Sequence, residues 1–159
     1  MSGRFFHIAD IGEGKLTIGP RPPADDLAGW VGEAREQGVD IVVSLITKPE
    51  IARYGLGSEK TQLDALGIAF VSFPVDDFDI PDAGAFEQLI TDLTAHLQQG
   101  QHIFAHCAGG VGRAGTLASC LLVRDSWDAD EAMAHVSDKR GCASPENDKQ
   151  RDFVSRFGK

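Results

Sequence analysis

The chain has 159 residues, 42% of them apolar and 25% charged, which suits one domain over residues 1–159 with a single hydrophobic core. Its formal net charge of -9 has the wrong sign for binding a nucleic-acid backbone or an anionic membrane surface. The longest apolar runs, at 41–46 and 120–123, are too short to span a bilayer, and the first residues show no signal-peptide pattern. Three cysteines at irregular spacing indicate reduced thiols. We therefore expect a cytoplasmic protein with neither a nucleic-acid nor a membrane partner.

The predicted elements alternate between strands and helices along the chain. Short apolar, β-branched runs bounded by glycine or polar residues predict strands at 5–10, 15–19, 39–45, 68–75 and 102–107. Helical spacing predicts helices at 25–37, 58–66, 82–99 and 113–125, one after the N-cap Asp128, and one that begins at Ser144 and Pro145. Gly100 is expected to end the third of these helices in a left-handed conformation. This alternation favours an α/β fold, in which a central, largely parallel five-stranded sheet is flanked by helices.

The stretch HCAGGVGRAG at 106–115 joins the last predicted strand to a helix and contains a candidate site. Backbone N–H groups between Cys107 and Arg113 can turn inward and form an anion-binding nest at the helix N-terminus. These N–H groups and the arginine stabilise a thiolate at Cys107, and the planar guanidinium can bind two oxygens of a tetrahedral anion. The residues between the two, all small, are Ala108, Gly109, Gly110, Val111 and Gly112. The pattern predicts a phosphate site with a cysteine nucleophile.

Other interpretations of this stretch fit its residues less well. His102, His106 and Cys107 lack a fourth ligand at metal-site spacing, so no metal is expected. A nucleotide-binding loop of the form GxxxxGK[ST] requires lysine and then a hydroxyl, where this chain has arginine and then alanine. A buried structural thiol is the favoured interpretation of Cys120 and of Cys142.

A second loop, PVDDFDIPD at 74–82, supplies carboxylates. Phosphoryl transfer to cysteine needs an acid that protonates the leaving oxygen. The loop contains Asp76, Asp77 and Asp79, and prolines at both ends limit its conformations, so that it can hold an acid over a pocket. A solvated acidic cluster is the alternative. A calcium loop is not expected, because Pro81 occupies the third ligand position counted from Asp77.

HCAGGVGRAG resembles the HCxxGxxR[ST] signature of cysteine-dependent protein phosphatases, and FPVDDFDIPD resembles the general-acid loop of their small dual-specificity branch. From about Lys15 onward the chain is similar to bacterial and kinase-associated-type members of this branch of the protein tyrosine phosphatase superfamily. The resemblance implies a protein tyrosine phosphatase-like fold, no cofactor and a phosphocysteine intermediate. It also implies that Cys107 is the nucleophile, Arg113 the phosphate clamp, and Asp77 the general acid and later the general base.

The resemblance further implies that the backbone amides of residues 108–113 bind the phosphate oxygens, and that His106 supports the nucleophile through a hydrogen bond. One position departs from the family: Ala114 stands where a serine or threonine usually donates to the cysteine sulfur. Thr116 lies about 200° further round the helix and does not replace it. Losing this hydrogen bond predicts slow hydrolysis of the phosphoenzyme. Gln150, in the last predicted helix, is expected to be solvated.

The substrate stays open from the sequence. In the large tyrosine phosphatases a separate recognition loop makes the phosphotyrosine pocket deep, and this short chain is expected to have a shallower site. Phosphoinositide phosphatases of the superfamily that this chain resembles commonly carry lysine within this loop, so the absence of lysine between Cys107 and Arg113 disfavours inositol lipids. We expect tyrosine or dual-specificity activity on phosphorylated proteins, with small phosphoesters as an alternative. A weak or inactive phosphate-binding module that recognises phosphorylated partners is the non-enzymatic alternative.

Overall fold

Five strands form one sheet in the structure, a computed structural model that describes residues 3–158. They are β1 (Phe6–Ile11), β2 (Gly14–Gly19), β3 (Ile41–Ser44), β4 (Ala69–Ser72) and β5 (His102–His106). Their order across the sheet is β1-β2-β5-β3-β4, with β1 antiparallel to β2 and every other neighbouring pair parallel. The predicted α/β class with a largely parallel five-stranded sheet is therefore confirmed.

Helices connect the strands and cover both faces of the sheet. A short 3-10 turn (Ala24–Asp26) is followed by α1 (Leu27–Glu36), α2 (Lys48–Arg53), α3 (Glu59–Ala65), α4 (Ala83–Gln98), α5 (Gly112–Arg124), α6 (Ala129–Arg140) and α7 (Asp148–Arg156). Most of the predicted helices differ from these only at their terminal residues. Gly100 follows α4 with φ +87°, as expected for a left-handed C-cap.

The sequence does not predict α2, because six residues are too few for a helical period to appear. The helix begins with a capping box: the Thr47 hydroxyl accepts the N–H of Glu50, and the Glu50 carboxylate accepts the N–H of Thr47. Pro49 occupies the first turn, where its missing N–H costs no hydrogen bond. This cap fixes Glu50 at the start of α2, in the connection that leaves the end of β3.

The last helix begins later than predicted. The expected start at Ser144 and Pro145 is wrong, because α7 begins at Asp148 and its N-cap is Asn147, whose side chain accepts the N–H of Gln150 at 2.9 Å. The Ser144 hydroxyl donates instead to the Val111 carbonyl, 2.6 Å away. Serine suits an N-cap by residue type, and here a partner distant in sequence takes its hydroxyl.

The sheet separates two hydrophobic clusters, and β5 is buried on both of its faces. Ile103 and Ala105 point into the cluster that contains α4 and α5, whereas Phe104 points into the cluster that contains Trp30 of α1. Strand β5 lies between β2 and β3, so the loop after it emerges at the middle of the sheet's carboxyl edge. No helix within residues 3–158 is long and apolar enough to cross a membrane.

Candidate active site

The loop after β5 leads directly into α5 and carries the predicted nucleophile and clamp. We call residues 107–113 the Cys107 loop. Cys107 is only 2% exposed and Arg113 only 3% exposed, so both lie inside the molecule. Burial opposes the charge on Arg113, but Glu50, Cys107 and Asp77 outweigh it and raise the pKa of the guanidinium above its ordinary value. The site thus holds a buried, permanently charged cation beside the thiol.

Arg140, at the end of α6, holds the outer side of the Cys107 loop. Its Nε donates to the Gly110 carbonyl at 2.9 Å and its Nη2 donates to the Gly109 carbonyl at 2.8 Å. The guanidinium also lies 4.0 Å from the ring centroid of Phe6, a cation–π contact that limits its rotation. One side chain therefore orients two successive peptide groups of the loop.

The carbonyls on either side of this pair are also engaged. Ala108 accepts the backbone N–H of Arg21 at 3.1 Å, and Val111 accepts the Ser144 hydroxyl. In a planar trans peptide the carbonyl and the next N–H point in opposite directions, so the N–H groups of residues 109–112 face the opposite side. Those of residues 109–111 donate to no other group within residues 3–158. These N–H groups are therefore free to donate to a ligand on that side of the loop.

Glycine is required at position 110 by the backbone itself. Gly110 has φ +71°, a conformation that side chains rarely adopt. A Cβ at this position would lie 2.2 Å from the carbonyl carbon of Gly19, at the end of β2. The Cys107 loop is thus packed against the neighbouring strand as closely as a peptide without a side chain allows.

Glu50 holds the Arg113 guanidinium in place. Nη1 and Nη2 of Arg113 each donate to a different carboxylate oxygen of Glu50 at 2.8 Å, and Nη1 also donates to the Val75 carbonyl at 2.7 Å. This two-point pairing fixes the plane of the guanidinium. Sequence reasoning missed Glu50, although the T-K-P-E pattern of a capping box was a signal for the helix that carries it.

The structure brings Asp77 to the same guanidinium. We call residues 74–82 the Asp77 loop. Asp77 Oδ1 lies 3.2 Å from Nη2 of Arg113, and the Asp77 side chain is 42% exposed. Asp77 therefore has the more open of the two carboxylates that contact Arg113, on the solvent side of the clamp. The Asp79 carboxylate pairs instead with Lys149 at 2.6 Å, which lowers the pKa of Asp79. Asp76 is exposed, and its backbone carbonyl accepts the N–H of Asp79 at 3.0 Å.

Helix α7 holds the Asp77 loop from the other side. The Asn147 side chain donates to the Phe78 carbonyl at 3.0 Å, and the Gln150 side chain donates to the Asp79 carbonyl at 3.3 Å. Gln150 is completely buried, so the expectation that it is solvated is wrong. An isolated helical pattern cannot show that a loop far away in sequence covers one of its polar positions.

His106, the predicted supporting residue, lies at the end of β5 and is fully buried. Its Nδ1 lies 3.4 Å from the Cys107 carbonyl, and its Nε2 lies 2.7 Å from the Glu59 carboxylate. Glu59, at the start of α3, was not singled out in the sequence because it reads as an ordinary first-turn acid. The pair fixes the ring of His106 directly beneath the loop.

The other cysteines lie in unlike environments. Cys120 is buried in the core, where burial raises the pKa of its thiol, so the interpretation as a structural thiol fits. Cys142 is exposed, so that interpretation is wrong for it; it follows Gly141 in the connection after α6. Within residues 3–158, no group of three or more His, Cys, Asp or Glu side chains that could hold a metal ion is found.

A family model described as "Tc-R-P: Polymorphic toxin system, DSP-PTPase phosphatase" matches residues 25–126. The chain belongs to this DSP-PTPase phosphatase family. The match includes β3, β5, both loops of the site and all of α5. The resemblance to small dual-specificity phosphatases that the sequence motifs indicate is therefore confirmed.

Two curated proteins are similar in sequence to this DSP-PTPase chain. Cyclin-dependent kinase inhibitor 3 from Rattus norvegicus is 27% identical over 127 residues, which is 79% of this chain and 60% of the relative. The chain thus spans about three fifths of the length of that relative. Protein tyrosine phosphatase type IVA 3 from Mus musculus is 29% identical over 145 residues, 90% of this chain and 78% of the relative.

Solved structures show the same fold as this DSP-PTPase. The crystal structure of kinase associated phosphatase, with its catalytic-site cysteine replaced by serine, superposes with a TM-score of 0.90 at 20% identity and covers 99% of this chain and 94% of that chain. The active form of Tk-PTP superposes with a TM-score of 0.80 at 21% identity over 99% of this chain and 97% of that chain. The predicted protein tyrosine phosphatase-like fold is confirmed.

The Glu50–Arg113 pair leads to a prediction about stability. The hydrogen bond that the Glu50 carboxylate accepts from Arg113 lowers the pKa of Glu50 from 4.5 to about 2. The ionised Glu50 carboxylate therefore contributes its full stabilisation of the fold above pH 4.5, and this contribution is lost as the pH falls toward about 2 and the carboxylate becomes protonated. We expect Glu50→Gln to lower the free energy of unfolding at neutral pH by about 3 kcal/mol, because the buried Arg113 loses its counter-charge. Urea unfolding measures this change.

A control variant shows whether the loss of stability in Glu50→Gln is specific to this glutamate. Glu36→Gln, at the exposed end of α1, is expected to change the unfolding free energy by less than about 0.5 kcal/mol. The gap between wild type and Glu50→Gln should narrow as the pH falls below 4.5. A gap that stays constant between pH 7 and the acid limit of the folded state would show that the ion pair is not its source.

Proposed function

We propose that this chain hydrolyses phosphomonoesters of phosphorylated proteins through a phosphocysteine intermediate, with residues 1–159 acting as one phosphatase domain. The observation that carries the proposal is the Cys107 loop: its carbonyls at 108–111 are all engaged on the outside, which turns the following amides toward one point. A module that only binds phosphate needs neither a thiol at this point nor a carboxylate facing the clamp, so catalysis is favoured over binding alone.

In the first step, the Cys107 thiolate attacks phosphorus, a sulfur–phosphorus bond forms and the ester oxygen leaves. The amides of residues 108–113 and the Arg113 guanidinium hold the three equatorial oxygens, where charge accumulates. Asp77 protonates the leaving oxygen, so that an alcohol rather than an alkoxide departs. In the second step Asp77 takes a proton from water, which attacks phosphorus, releases inorganic phosphate and regenerates the thiolate.

Phosphate binding requires Arg113 to exchange one partner. Its pairing with Glu50 uses two hydrogen bonds of 2.8 Å and is buried, whereas its contact with Asp77 is a single one of 3.2 Å at a half-exposed carboxylate. The bound phosphate therefore replaces Asp77 and leaves Glu50 in place. This exchange frees Asp77 to face the leaving oxygen at the moment when the phosphate arrives.

Ala114 governs the second step in this proposal. Its side chain is fully buried, and the nearby Thr116 hydroxyl donates to the Gly112 carbonyl at 2.8 Å, so it is committed to the helix backbone. Within residues 3–158 no hydroxyl donates to the Cys107 sulfur. A hydrogen bond to a thiolate stabilises the leaving group when the phosphocysteine is hydrolysed, and this chain lacks it.

We therefore expect the phosphoenzyme to accumulate, which a rapid-mixing assay with an aryl phosphate detects as a burst of phenol. Ala114→Ser is expected to raise steady-state turnover by about tenfold to a hundredfold and to reduce the burst. Ala118→Ser, equally buried one turn further along α5, is the control and should accelerate nothing. Linear product formation from the first turnover by the wild type would contradict the prediction.

The proposed function is tested by a panel of phosphotyrosine, phosphoserine and phosphothreonine peptides with nucleotide and inositol phosphates. We expect phosphopeptides to be hydrolysed with the highest kcat/KM, with phosphotyrosine among the substrates. A higher value for a small phosphoester would favour the small-molecule alternative. Tight binding of phosphopeptides without phosphate release would favour the binding module.

We also propose a cytoplasmic location, because the mechanism requires Cys107 to remain a free thiol. All three cysteines are free, including the exposed Cys142, which suits a reducing compartment.

A further inference from the structure

A groove lies beside the Cys107 loop and takes no part in the chemistry described above. It has a volume of about 570 Å³, and we name it the Arg21 groove after the side chain that joins it to the loop. Its lining includes Arg21, Asp25, Arg53 and Tyr54. The Arg21 backbone N–H donates to the Ala108 carbonyl at 3.1 Å, and Nη1 of the same residue lies 3.5 Å from that oxygen. The groove therefore adjoins the Cys107 loop at the Ala108 carbonyl, on the outer side of the loop.

The two arginines of the groove are oriented by one aromatic ring. The Arg21 guanidinium carbon lies 3.8 Å from the centroid of the Tyr54 ring, and that of Arg53 lies 5.6 Å from it. Stacking on the ring restricts the guanidinium of Arg21, whose Nη1 also donates to the Ala108 carbonyl. A guanidinium restricted in this way loses less conformational entropy when it binds a ligand.

The described residues 3–158 supply no ion-pair partner for these two arginines. Although the protein has 24 acidic residues, neither Arg21 nor Arg53 forms an ion pair with a carboxylate in the part of the chain that the structure describes. Asp25 lines the same groove, so the lining carries two positive charges and one negative charge. A surplus of one positive charge beside the Cys107 loop stands out on a surface with a net charge of -9.

We propose that the Arg21 groove binds an acidic side chain of the substrate, next to the phosphorylated residue in sequence. This inference rests on the proposed function and specifies its substrate class. A carboxylate carries one negative charge, which matches the surplus of the groove, and its two oxygens match the fork of Arg21. A second phosphate would bring about two charges and would lie close to Asp25. The groove therefore selects acidic phosphopeptides.

The test compares phosphotyrosine peptides that differ only in Glu or Gln, placed two residues before the phosphorylated residue in one pair and two residues after it in the other. The measured quantity is the Glu-to-Gln ratio of kcat/KM within each pair. We expect a ratio of about three to ten for at least one pair, the scale of one or two exposed ion pairs. The ratio should approach one at about 1 M salt, because exposed charges are then screened over about 3 Å.

Substitutions in the groove then test whether the Glu-to-Gln ratio of kcat/KM depends on its arginines. Arg21→Ala is expected to reduce it to between about one and two, and Arg53→Ala to reduce it by a smaller factor. Arg35→Ala, an exposed arginine on α1, removes the same charge from the protein and should leave the ratio unchanged. Because the ratio compares two substrates of one protein, any effect of the substitution on the Cys107 loop cancels.

The outcomes separate this inference from the function on which it rests. If the wild type hydrolyses a small aryl phosphate but both peptide ratios are near one, the groove proposal is wrong and the phosphatase function stands. The groove proposal is also wrong if Arg21→Ala keeps the full ratio, or if a peptide with a second phosphate at the flanking position is preferred over the Glu peptide. If the wild type hydrolyses neither aryl phosphate nor peptide, both proposals fall.

Discussion

Replacing Cys107 by serine is expected to lower hydrolysis of an aryl phosphate by at least about a thousandfold. A serine hydroxyl is not ionised at neutral pH and needs a general base to become a nucleophile. The neighbouring His106 cannot supply this base, because its ring contacts the Glu59 carboxylate and the Cys107 carbonyl and is fully buried. Steady-state assays with purified protein measure the loss.

Binding should survive this substitution even though turnover does not. The amides of the Cys107 loop and the Arg113 guanidinium are untouched by it, so Cys107→Ser is expected to retain phosphopeptides and can be used to capture them. Cys142→Ser, at the exposed cysteine, is the matched control and should keep wild-type activity. Activity of Cys107→Ser equal to that of the wild type would overturn the phosphocysteine mechanism.

Asp77→Asn has the second largest expected effect. We expect kcat to fall by about a hundredfold to ten-thousandfold for an alkyl or phenyl phosphate, whose leaving oxygen needs a proton, and by much less for an activated aryl phosphate. Because the Asp77 carboxylate competes with phosphate for Arg113 in the free protein, KM should stay constant or fall. This difference between kcat and KM separates loss of an acid from loss of binding.

The neighbouring acid provides the control. Asp76→Asn replaces an exposed aspartate of the same loop and removes the same single negative charge. It is expected to alter kcat by less than about threefold. A larger loss of kcat in Asp76→Asn than in Asp77→Asn would show that Asp77 is not the general acid. Equal losses for activated and poor leaving groups would show that Asp77 acts without transferring a proton.

The sequence predicts the local parts of this site because their physical causes are local. The small residues between Cys107 and Arg113 can form a nest within a single turn of chain, and strand and helix periods on either side of them determine where that turn lies. The number of strands and the parallel character of the sheet follow in the same way from short apolar runs separated by helices. The motif of the Asp77 loop is likewise local, because it depends only on the spacing between the prolines and the aspartate.

The support of the site comes from residues that are distant in sequence. Arg140 reaches the Gly109 and Gly110 carbonyls across 31 and 30 positions, and Arg113 reaches Glu50 across 63. Each of these residues has an ordinary surface interpretation in its own segment: Arg140 as a cation in a last helical turn, and Glu50 as an acid of a capping box. No periodicity or motif specifies partners of this kind.

The wrong predictions have the same cause. Gln150 reads as solvated until the Asp77 loop covers it, Ser144 reads as an N-cap until Val111 takes its hydroxyl, and nothing near Cys142 in the sequence shows that it is exposed. Burial and pairing between distant segments are properties of the packed chain rather than of any one segment.

The sequence by itself therefore determined which reactive groups are present: a thiol, a guanidinium and a carboxylate on two loops. It also determined the small residues that can form a nest and the alanine that stands where the family usually has a hydroxyl. The tertiary structure decided which groups meet. It placed Asp77 3.2 Å from the guanidinium of Arg113 and bound the carbonyls of Gly109 and Gly110 to Arg140. It also placed Arg21 beside the loop, with no carboxylate partner among residues 3–158. Local backbone preferences act over a few residues, whereas hydrogen bonds and ion pairs act between whatever residues the packing of the sheet and helices brings together.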